Sequence, residues 1–149
     1  MGIEAALIAR RGRVFAVETD AECVAMIREN VQTHGADNLS VVHGLAPDAL
    51  ADLPAPDAVF VGGSKGSMQA IVEHALDKLA PGGSLVVNAI TLENMHESYA
   101  AVRGRGLAPE VSLVQVSRAE TLARYMRFAA QNPIQILSVR KPAAPAEAS

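Results

Sequence analysis

Short apolar runs alternate with helical segments along the first hundred residues, and this alternation constrains the fold more than any other feature. Each run is too short for a helix and is bounded by glycine, proline or polar residues, as expected of buried strands. Between the runs, apolar residues recur every three or four positions, which is typical of amphipathic helices. An α/β fold is therefore predicted, with a mostly parallel sheet and helices on both faces. The strand-like runs lie at 13–17, 39–43, 57–61 and 84–90, and the main helical segments at 19–34, 67–79 and 92–104.

The C-terminal third departs from this alternation. Residues 111–116 and 133–139 are strand-like, and no standard crossover helix joins them, so we predict an antiparallel hairpin at the sheet edge. The segment between them, 118–131, is predicted to be helical from its propensity. At 149 residues the chain fits one domain, which we predict to span 1–140. The Ala- and Pro-rich residues 141–149 are predicted to form a disordered tail.

Composition narrows the class of protein. The chain has 13 Lys and Arg against 16 Asp and Glu, a formal net charge of −3, and only 3% aromatic residues with no Trp. Because the basic residues form no block and a base-stacking platform is lacking, we expect no nucleic-acid partner. No apolar run is long enough to span a membrane, and the N-terminus does not read as a secretion signal. We therefore expect no membrane partner and a cytoplasmic location.

Cysteine and histidine usage predicts no metal site. The single cysteine, Cys23, rules out an internal disulfide and any multi-cysteine metal site, and its place on an apolar helix face favours a packed thiol. Each histidine is expected to be a surface or structural residue, and we name no general base. The histidines fall on separate predicted elements, at His34, His43, His74 and His96.

An acid directly follows the first strand-like run. Ligands of doubly wound α/β folds bind outside the carboxyl ends of the strands, where an acid can accept both hydroxyls of a ribose. Glu18 occupies such a position. The alternative is that Glu18 is only an acid at a helix start, favoured by the helix dipole. Thr19 and Glu22 fit a capping box, which predicts Thr19 as the N-cap of the next helix.

Glycines follow two further strand-like runs. Gly44 ends the run at 39–43, and Gly62 and Gly63 end the run at 57–61. Glycine at a strand tip lets the backbone approach a ligand closely. The alternative is a tight turn with nothing bound.

Four motifs together resemble one family of class I S-adenosylmethionine-dependent methyltransferases. They are GLAPDAL at 44–50, VGGSKGS at 61–67, LAPGGSLVVNAITLEN at 79–94 and QNPIQILS at 131–138. These residues resemble the precorrin decarboxylating methyltransferases of cobalamin biosynthesis. That family includes the stand-alone carbon-15 methyltransferase and the C-terminal half of the fused precorrin-6Y C5,15-methyltransferase. The double glycine and the Asn-Pro that opens the last strand are the more discriminating parts.

The resemblance implies S-adenosylmethionine as cofactor, bound at the switch point of a Rossmann-like sheet. It implies a precorrin substrate, methylated at carbon 15 with loss of carbon dioxide from the ring C acetate. It also implies a homo-oligomer, since members of this family are commonly tetramers. In this chain Glu18 would bind the ribose hydroxyls. The other cofactor-binding residues that the resemblance implies are Thr19, Gly44, Leu45, Ala46 and Gly62.

A precorrin carries many carboxylates, and arginine forks suit them. Arg118, Arg124 and Arg127 precede the last strand and are candidates for binding them, with a solvated basic face as the alternative. Asn88 and Thr91, at the end of the fourth strand-like run, could face the same pocket, although Asn88 could instead satisfy local backbone groups. The resemblance adds Gly63 and Ser64 to the substrate-binding residues.

Two departures from the family pattern bear on function. Leu45 stands where the family usually has an acid that accepts from the adenine amino group, so we expect backbone groups and apolar contact to hold the adenine. The family's first strand and glycine-rich loop would lie just before residue 1, and without them we expect cofactor binding to be weak or absent. Two other functions stay open: another class I small-molecule methyltransferase, and a truncated, cofactor-free domain acting as a scaffold.

Overall fold

The computed structural model describes residues 1–144, so residues 145–149 of the predicted tail lie outside the described residues. The chain forms two compact units, residues 1–53 and the residues from 54 onward. No helix in the described range is long and apolar enough to cross a membrane. The helices are α1 (Gly2–Ile8), α2 (Ala21–His34), α3 (Met68–Lys78) and α4 (Leu92–Gly104), with a 3₁₀ turn at Asp48–Leu50. The strands are β1 (Val14–Glu18), β2 (Leu39–His43), β3 (Ala58–Val61), β4 (Ser84–Ala89), β5 (Glu110–Val114), β6 (Ser117–Leu122), β7 (Tyr125–Ala130) and β8 (Ile134–Arg140).

The first unit is built on two parallel strands. β1 pairs with β2 in a register that runs from Val14 opposite Leu39 to Glu18 opposite His43. Because the two strands are parallel, their carboxyl ends and the loops that follow lie at one edge of the unit. The strands and the helix predicted between them are confirmed. The buried core of the unit consists of Ala6, Ala36 and Leu39, against which Ile3, Val14, Ala16, Ile27, Val31 and Val41 pack.

One side chain closes the end of α1. Asn38, just before β2, donates through Nδ2 to the carbonyl oxygens of Ala6, Ala9 and Gly12 at 3.1, 2.9 and 3.2 Å. The last carbonyls of a helix lack partners within the helix, so a side-chain donor placed there satisfies groups that α1 leaves open. The carbonyl of Asn38 accepts in turn from the backbone N–H of Val14 at 2.9 Å. Asn38 therefore ties the end of α1 to the start of both strands.

The second unit contains a four-stranded mixed sheet in the order β3-β4-β8-β5. β3 and β4 are parallel, and β8 is antiparallel to both β4 and β5. The predicted antiparallel pairing of the two last strand-like runs, at the sheet edge, is thus confirmed. α3 packs against α4. Side chains of this unit that are inaccessible to solvent include Met68, Val72, Leu85, Val87, Val102 and Leu137.

The segment between these two strands is a β-hairpin, so the helix predicted over 118–131 is wrong. β6 and β7 pair antiparallel around a two-residue turn at Ala123 and Arg124. Glu120 lies opposite Arg127, and the Arg127 Nε donates to the Glu120 Oε1 at 2.7 Å. This cross-strand pair stabilises the hairpin register. Helix propensity, which scores residues one at a time, takes no account of such a pair.

The two faces of the hairpin explain why propensity failed. Residues directly opposite each other in an antiparallel pair share a face. One face is mainly apolar and carries Ala119, Thr121, Met126, Phe128 and Ala130. The other face carries Arg118, Glu120 and Arg127, with Leu122 and Tyr125 beside the turn. The period of two was present in the sequence, but helix-forming Ala, Leu, Arg and Met obscured it, and propensity is a weak prior that tertiary pairing overrides.

Hydrogen bonds continue past the domain boundary predicted at residue 140. The backbone N–H of Lys141 donates to the carbonyl of Gly83 at 2.8 Å, and its carbonyl accepts from Gly82 at 3.1 Å. The Lys141 Nζ donates to the carbonyls of Leu76 and Leu79 at 3.1 and 2.7 Å. A cation at the C-terminal end of α3 also interacts favourably with the helix dipole. The predicted disordered tail therefore does not begin at Lys141.

Replacing Asn38 by leucine is expected to lower the free energy of unfolding by about 1–3 kcal/mol, because three carbonyls lose their shared donor. Urea unfolding followed by circular dichroism measures the change. Asn132→Leu, at an exposed position outside the helices and strands, is the matched control. The control is expected to change the free energy by less than about 0.5 kcal/mol. Equal stability of the two variants would contradict the role of Asn38.

Candidate functional site

Glu18 folds its own side chain back onto the turn that follows β1. Its Oε1 accepts from the backbone N–H of Thr19 at 2.7 Å and of Asp20 at 3.0 Å, and from the Thr19 hydroxyl at 3.3 Å. Hydrogen bonds to a charged acceptor are the stronger class, so they fix the carboxylate in one orientation. The half-buried Glu18 thus presents a held acid at the carboxyl end of a parallel strand.

The N-cap of α2 is Asp20, and the prediction of Thr19 is wrong. The Asp20 Oδ1 accepts from the backbone N–H groups of Glu22 and Cys23 at 2.9 and 3.0 Å. The Thr19 hydroxyl bonds instead to Glu18. Ser, Thr, Asp and Asn are all good N-caps, and sequence alone does not tell which of two neighbours takes the position.

The tip of β2 lies beside this turn. His43, the register partner of Glu18, makes a hydrogen bond through Nε2 with the carbonyl oxygen of Thr19 at 3.0 Å. The backbone N–H of Gly44 donates to the carbonyl of Glu18 at 3.0 Å. The fold therefore brings three predicted cofactor-binding residues, Glu18, Thr19 and Gly44, to one edge. It adds His43, which sequence reasoning missed because only the strand register places it opposite the acid.

The loop after β2 is compact. A Cβ added to Gly44 would lie 2.8 Å from the Cβ of Ala49, so this glycine is required by the packing of the 3₁₀ turn. The backbone N–H of Ala49 donates to the carbonyl of Leu45 at 2.9 Å and closes the loop. The side chain of Leu45 is 49% exposed, whereas Ala46 is half-buried. The loop thus presents an apolar side chain directly after the strand tip.

Cys23, in the first turn of α2, is not suited to covalent chemistry. Partial burial raises the pKa of the Cys23 thiol above its usual value, and the neighbouring Asp20 carboxylate raises this pKa further. The thiolate is the reactive form, so a thiol with a raised pKa is a poor nucleophile at neutral pH. The packed thiol predicted from the helix face agrees with this chemistry.

In the second unit, the loop after β3 carries three of the predicted residues. A Cβ added to Gly62 would lie 3.1 Å from the Cε1 of Phe60, while a Cβ at Gly63 would meet no atom within 4 Å. Ser64 is buried, and its carbonyl accepts from the backbone N–H of Ser67 at 3.0 Å. Both glycines are exposed; the Phe60 ring lies beside Gly62, whereas Gly63 borders open space.

Asn88 and Thr91 lie at the neighbouring strand tip, which parallel pairing of β3 and β4 brings to the same edge. Asn88 is half-buried in β4, opposite Ile136 of β8. Thr91 is the N-cap of α4, and its Oγ1 accepts from the backbone N–H of Asn94 at 3.3 Å. The Thr91 hydroxyl therefore caps the N-terminus of α4 at this edge.

The β6–β7 hairpin leaves the sheet from that edge as well. Ala89, at the end of β4, lies opposite Gln135, and Val114, at the end of β5, lies opposite Ile134. The hairpin connects β5 to β8 at these ends. The loops after β3 and β4 and the base of the hairpin therefore share one edge of the second unit.

The arginines predicted to bind substrate all belong to this hairpin. Arg127 is paired with Glu120. The Arg124 Nε donates to the Tyr125 hydroxyl at 2.9 Å, and its guanidinium lies 5.1 Å from the centre of that ring. Among the described residues, neither Arg118 nor Arg124 takes part in an ion pair. These two guanidinium groups keep their charge available to an anionic ligand.

The candidate residues fall into two groups, each within one unit. The first unit offers a fixed carboxylate beside an apolar loop, which suits a ligand with hydroxyl donors and a flat apolar part. The second offers open space at a strand tip and two cationic side chains. Across residues 1–144, no three His, Cys, Asp or Glu side chains come together as metal ligands would.

Comparison with known proteins decides the family. A family model described as a precorrin methyltransferase domain matches residues 1–141. The chain belongs to the precorrin methyltransferase family. This precorrin methyltransferase is 31% identical over 142 residues to the cobalt-precorrin-6B C(15)-methyltransferase (decarboxylating) of Salmonella typhimurium. That alignment covers 95% of this chain and 73% of the Salmonella protein. The family resemblance carried by the four sequence motifs is confirmed.

Solved structures confirm the class I methyltransferase fold. Precorrin-6y C5,15-methyltransferase from Geobacter metallireducens matches with a TM-score of 0.85 at 34% identity, over 93% of this chain and 74% of that one. Precorrin 8W decarboxylase from Methanobacterium thermoautotrophicum matches with a TM-score of 0.78 at 34% identity. The match covers 85% of this chain and 69% of that one. A SAM-dependent O-methyltransferase from Thermotoga maritima shares the fold, with a TM-score of 0.70 at 15% identity over 94% of this chain and 54% of that one.

Gly44→Ala is expected to lower the free energy of unfolding by about 1–3 kcal/mol, because the added methyl overlaps the Cβ of Ala49. Thermal or urea unfolding measures this. Gly63→Ala is the matched control, and it is expected to leave stability nearly unchanged because its Cβ meets open space. The double variant Gly44→Ala/Ala49→Gly removes the overlapping methyl and should recover part of the loss. A Gly44→Ala protein as stable as the wild type would show that packing does not require this glycine.

Proposed function

We propose that this precorrin methyltransferase transfers a methyl group from S-adenosylmethionine to carbon 15 of a precorrin and removes the ring C acetate carboxyl as carbon dioxide, in cobalamin biosynthesis. The observation that carries the proposal is the family match over residues 1–141. The names of the relatives add support. The Salmonella protein is a C(15)-methyltransferase (decarboxylating), and the Methanobacterium structure is a precorrin decarboxylase.

The first unit suits the nucleoside end of S-adenosylmethionine. A ribose offers two hydroxyl donors, and a carboxylate at a strand tip can accept both. Glu18 is such a carboxylate, already oriented by the amides of Thr19 and Asp20. The residues present therefore fit the ribose, and we assign Glu18 and Thr19 to it.

We assign the loop after β2 to the adenine. Leu45 has no side-chain acceptor for the adenine amino group, but its exposed side chain offers apolar contact with a flat ring. Gly44 and Ala46 contribute backbone groups beside it. Apolar contact and backbone hydrogen bonds together then replace the acid that this family usually has at position 45.

Alignment supplies most of the rate enhancement in this reaction. S-adenosylmethionine contributes a methyl group activated by a sulfonium, and the meso-carbon of a reduced tetrapyrrole is already nucleophilic. The protein has to hold the two reacting atoms in line, which converts a bimolecular step into an effectively unimolecular one. We assign Gly62 to the cofactor and Gly63 and Ser64 to the substrate, because the two glycines that follow β3 have no side chain of their own to keep a ligand away.

Carboxylate recognition is the second task. We assign Arg118 and Arg124 to the carboxylates at the rim of the precorrin, since a guanidinium fork matches a carboxylate bidentately. Asn88 and Thr91 complete the proposed substrate-binding set. In the decarboxylation, the bond between the acetate methylene and its carboxyl breaks, the electron pair passes into the macrocycle, and a proton takes the place of carbon dioxide. No side chain is assigned as the proton donor.

Isothermal titration calorimetry with S-adenosylhomocysteine tests the cofactor assignment. In keeping with the expectation from the sequence, we expect the wild-type chain to bind weakly at most. Where it binds, Glu18→Gln should bind at least about tenfold more weakly, because the amide is uncharged and offers one acceptor oxygen. Glu29→Gln, exposed on α2, is the matched control and should bind like the wild type. Equal affinity of the wild type and Glu18→Gln would contradict the ribose assignment.

Two further outcomes separate the alternative functions. If the wild type does not bind, the titration is repeated on a chimera that adds the part of the Salmonella relative outside the matched region. Binding by the chimera alone would support an enzyme whose cofactor site needs that part, and binding by neither would support a scaffold. Mass spectrometry of a precorrin incubated with the active protein should show one added methyl and one lost carbon dioxide. Methylation of another small molecule instead would favour a different methyltransferase.

We also propose that the chain assembles into a homo-oligomer, a tetramer, through the β6–β7 hairpin and the edge strand β5. A two-stranded hairpin alone is only marginally stable in water. Its apolar face exposes 66% of Met126 and 79% of Phe128, which is unusual for large apolar side chains that form a contiguous patch. A second copy that covers this face would remove the patch from water.

Phe128→Ser is expected to shift the chain from the oligomer toward the monomer, because the central apolar side chain of the face is lost. Size-exclusion chromatography with light scattering measures the mass. Leu92→Ser is the matched control, since Leu92 is equally apolar and 75% exposed at the start of α4. The control is expected to keep the mass of the wild type. A monomeric wild type, or an unchanged mass in Phe128→Ser, would contradict assembly through this face.

A further inference from the structure

One peptide group in the turn after β1 is held at both of its polar atoms. The carbonyl oxygen of Thr19 is bonded to the His43 Nε2 at 3.0 Å. The N–H of Asp20, which belongs to the same planar peptide unit, donates to the Glu18 Oε1 at 3.0 Å. Glu18 and His43 are register partners at the tips of β1 and β2, so two neighbouring strands hold opposite sides of this peptide.

The geometry points to His43 as a positioning residue for the nucleoside end of the cofactor, which we propose here. Because a peptide unit is rigid, any rotation that moves its carbonyl also moves its N–H. The bond from His43 to the Thr19 carbonyl therefore keeps the Asp20 N–H aimed at the Glu18 carboxylate. That carboxylate is the group assigned above to the ribose, so this inference rests on the proposed function.

Histidine is well suited to this position. Its side chain has only two rotatable bonds, so little freedom is lost when the ring is fixed against the turn. The hydrogen bond requires a proton on Nε2, because the partner is a carbonyl oxygen that can only accept. Glutamine places an amide N–H at a similar distance from the backbone, whereas phenylalanine keeps a ring but has no donor. These two replacements separate the hydrogen bond from the shape of the side chain.

The test compares His43→Phe and His43→Gln with the wild type by two measurements. The first is S-adenosylhomocysteine affinity by calorimetry. We expect His43→Phe to bind roughly threefold to tenfold more weakly, the effect of losing one hydrogen bond, and His43→Gln to bind within about twofold of the wild type. The second is hydrogen exchange of the Asp20 amide by nuclear magnetic resonance without ligand, which should be faster in His43→Phe and normal in His43→Gln.

A control variant and the thermal midpoint exclude a general loss of stability. His96→Phe, exposed on α4, should behave like the wild type in both measurements. Loss of affinity in His43→Phe that glutamine restores, at an unchanged thermal midpoint, supports positioning. Unchanged affinity or unchanged Asp20 exchange in His43→Phe overturns it. If the wild type does not bind, the same variants are compared in the chimera described above. Failure of the chimera as well overturns the cofactor assignment, and this inference with it, and is distinguished because the protein with His43 intact then fails alongside the variants.

Discussion

Parallel strand pairing is the constraint on which every candidate residue depends. Since β1 and β2 run in the same direction, Glu18 and the loop that begins at Gly44 emerge at one edge, and the register places Glu18 opposite His43. The same pairing of β3 with β4 sets Gly63 and Thr91 at one edge of the second unit. The hydrogen-bonded pairing of the strands therefore brings the candidate residues together at the strand ends, and the loops supply the side chains.

The turn after β1 divides three tasks among three consecutive residues. Glu18 accepts from two backbone amides, Thr19 offers its carbonyl to His43, and Asp20 caps α2. The backbone N–H groups of Thr19, Asp20, Glu22 and Cys23 thereby all find side-chain acceptors, and the Glu18 carboxylate is held in one orientation at the sheet edge. Asp20 and not Thr19 is the N-cap of α2, because the Thr19 hydroxyl donates to the Glu18 carboxylate instead.

The β6–β7 hairpin has one apolar face and one charged face. Its apolar face, with Met126 and Phe128, is proposed to meet another copy. Arg118 on the charged face and Arg124 in the turn are proposed to bind the carboxylates of the substrate. A strand alternates its side chains between two faces, so one hairpin can serve both purposes at once. A helix over the same residues would have spread the same charges and apolar groups around a cylinder.

The sequence by itself determined the family, the α/β class and nearly all strands and helices up to Gly104, because short apolar runs and helical spacing are local signals that buried packing rewards. It also placed Glu18 at a strand end. Only the tertiary structure decided that residues 118–131 pair as a hairpin and that Lys141 is bonded to the end of α3. It alone decided that His43 reaches the turn after β1. The contacts of Lys141 and His43 depend on partners far away along the chain. The hairpin depends on cross-strand pairing, and no helix propensity encodes which residues that register places side by side.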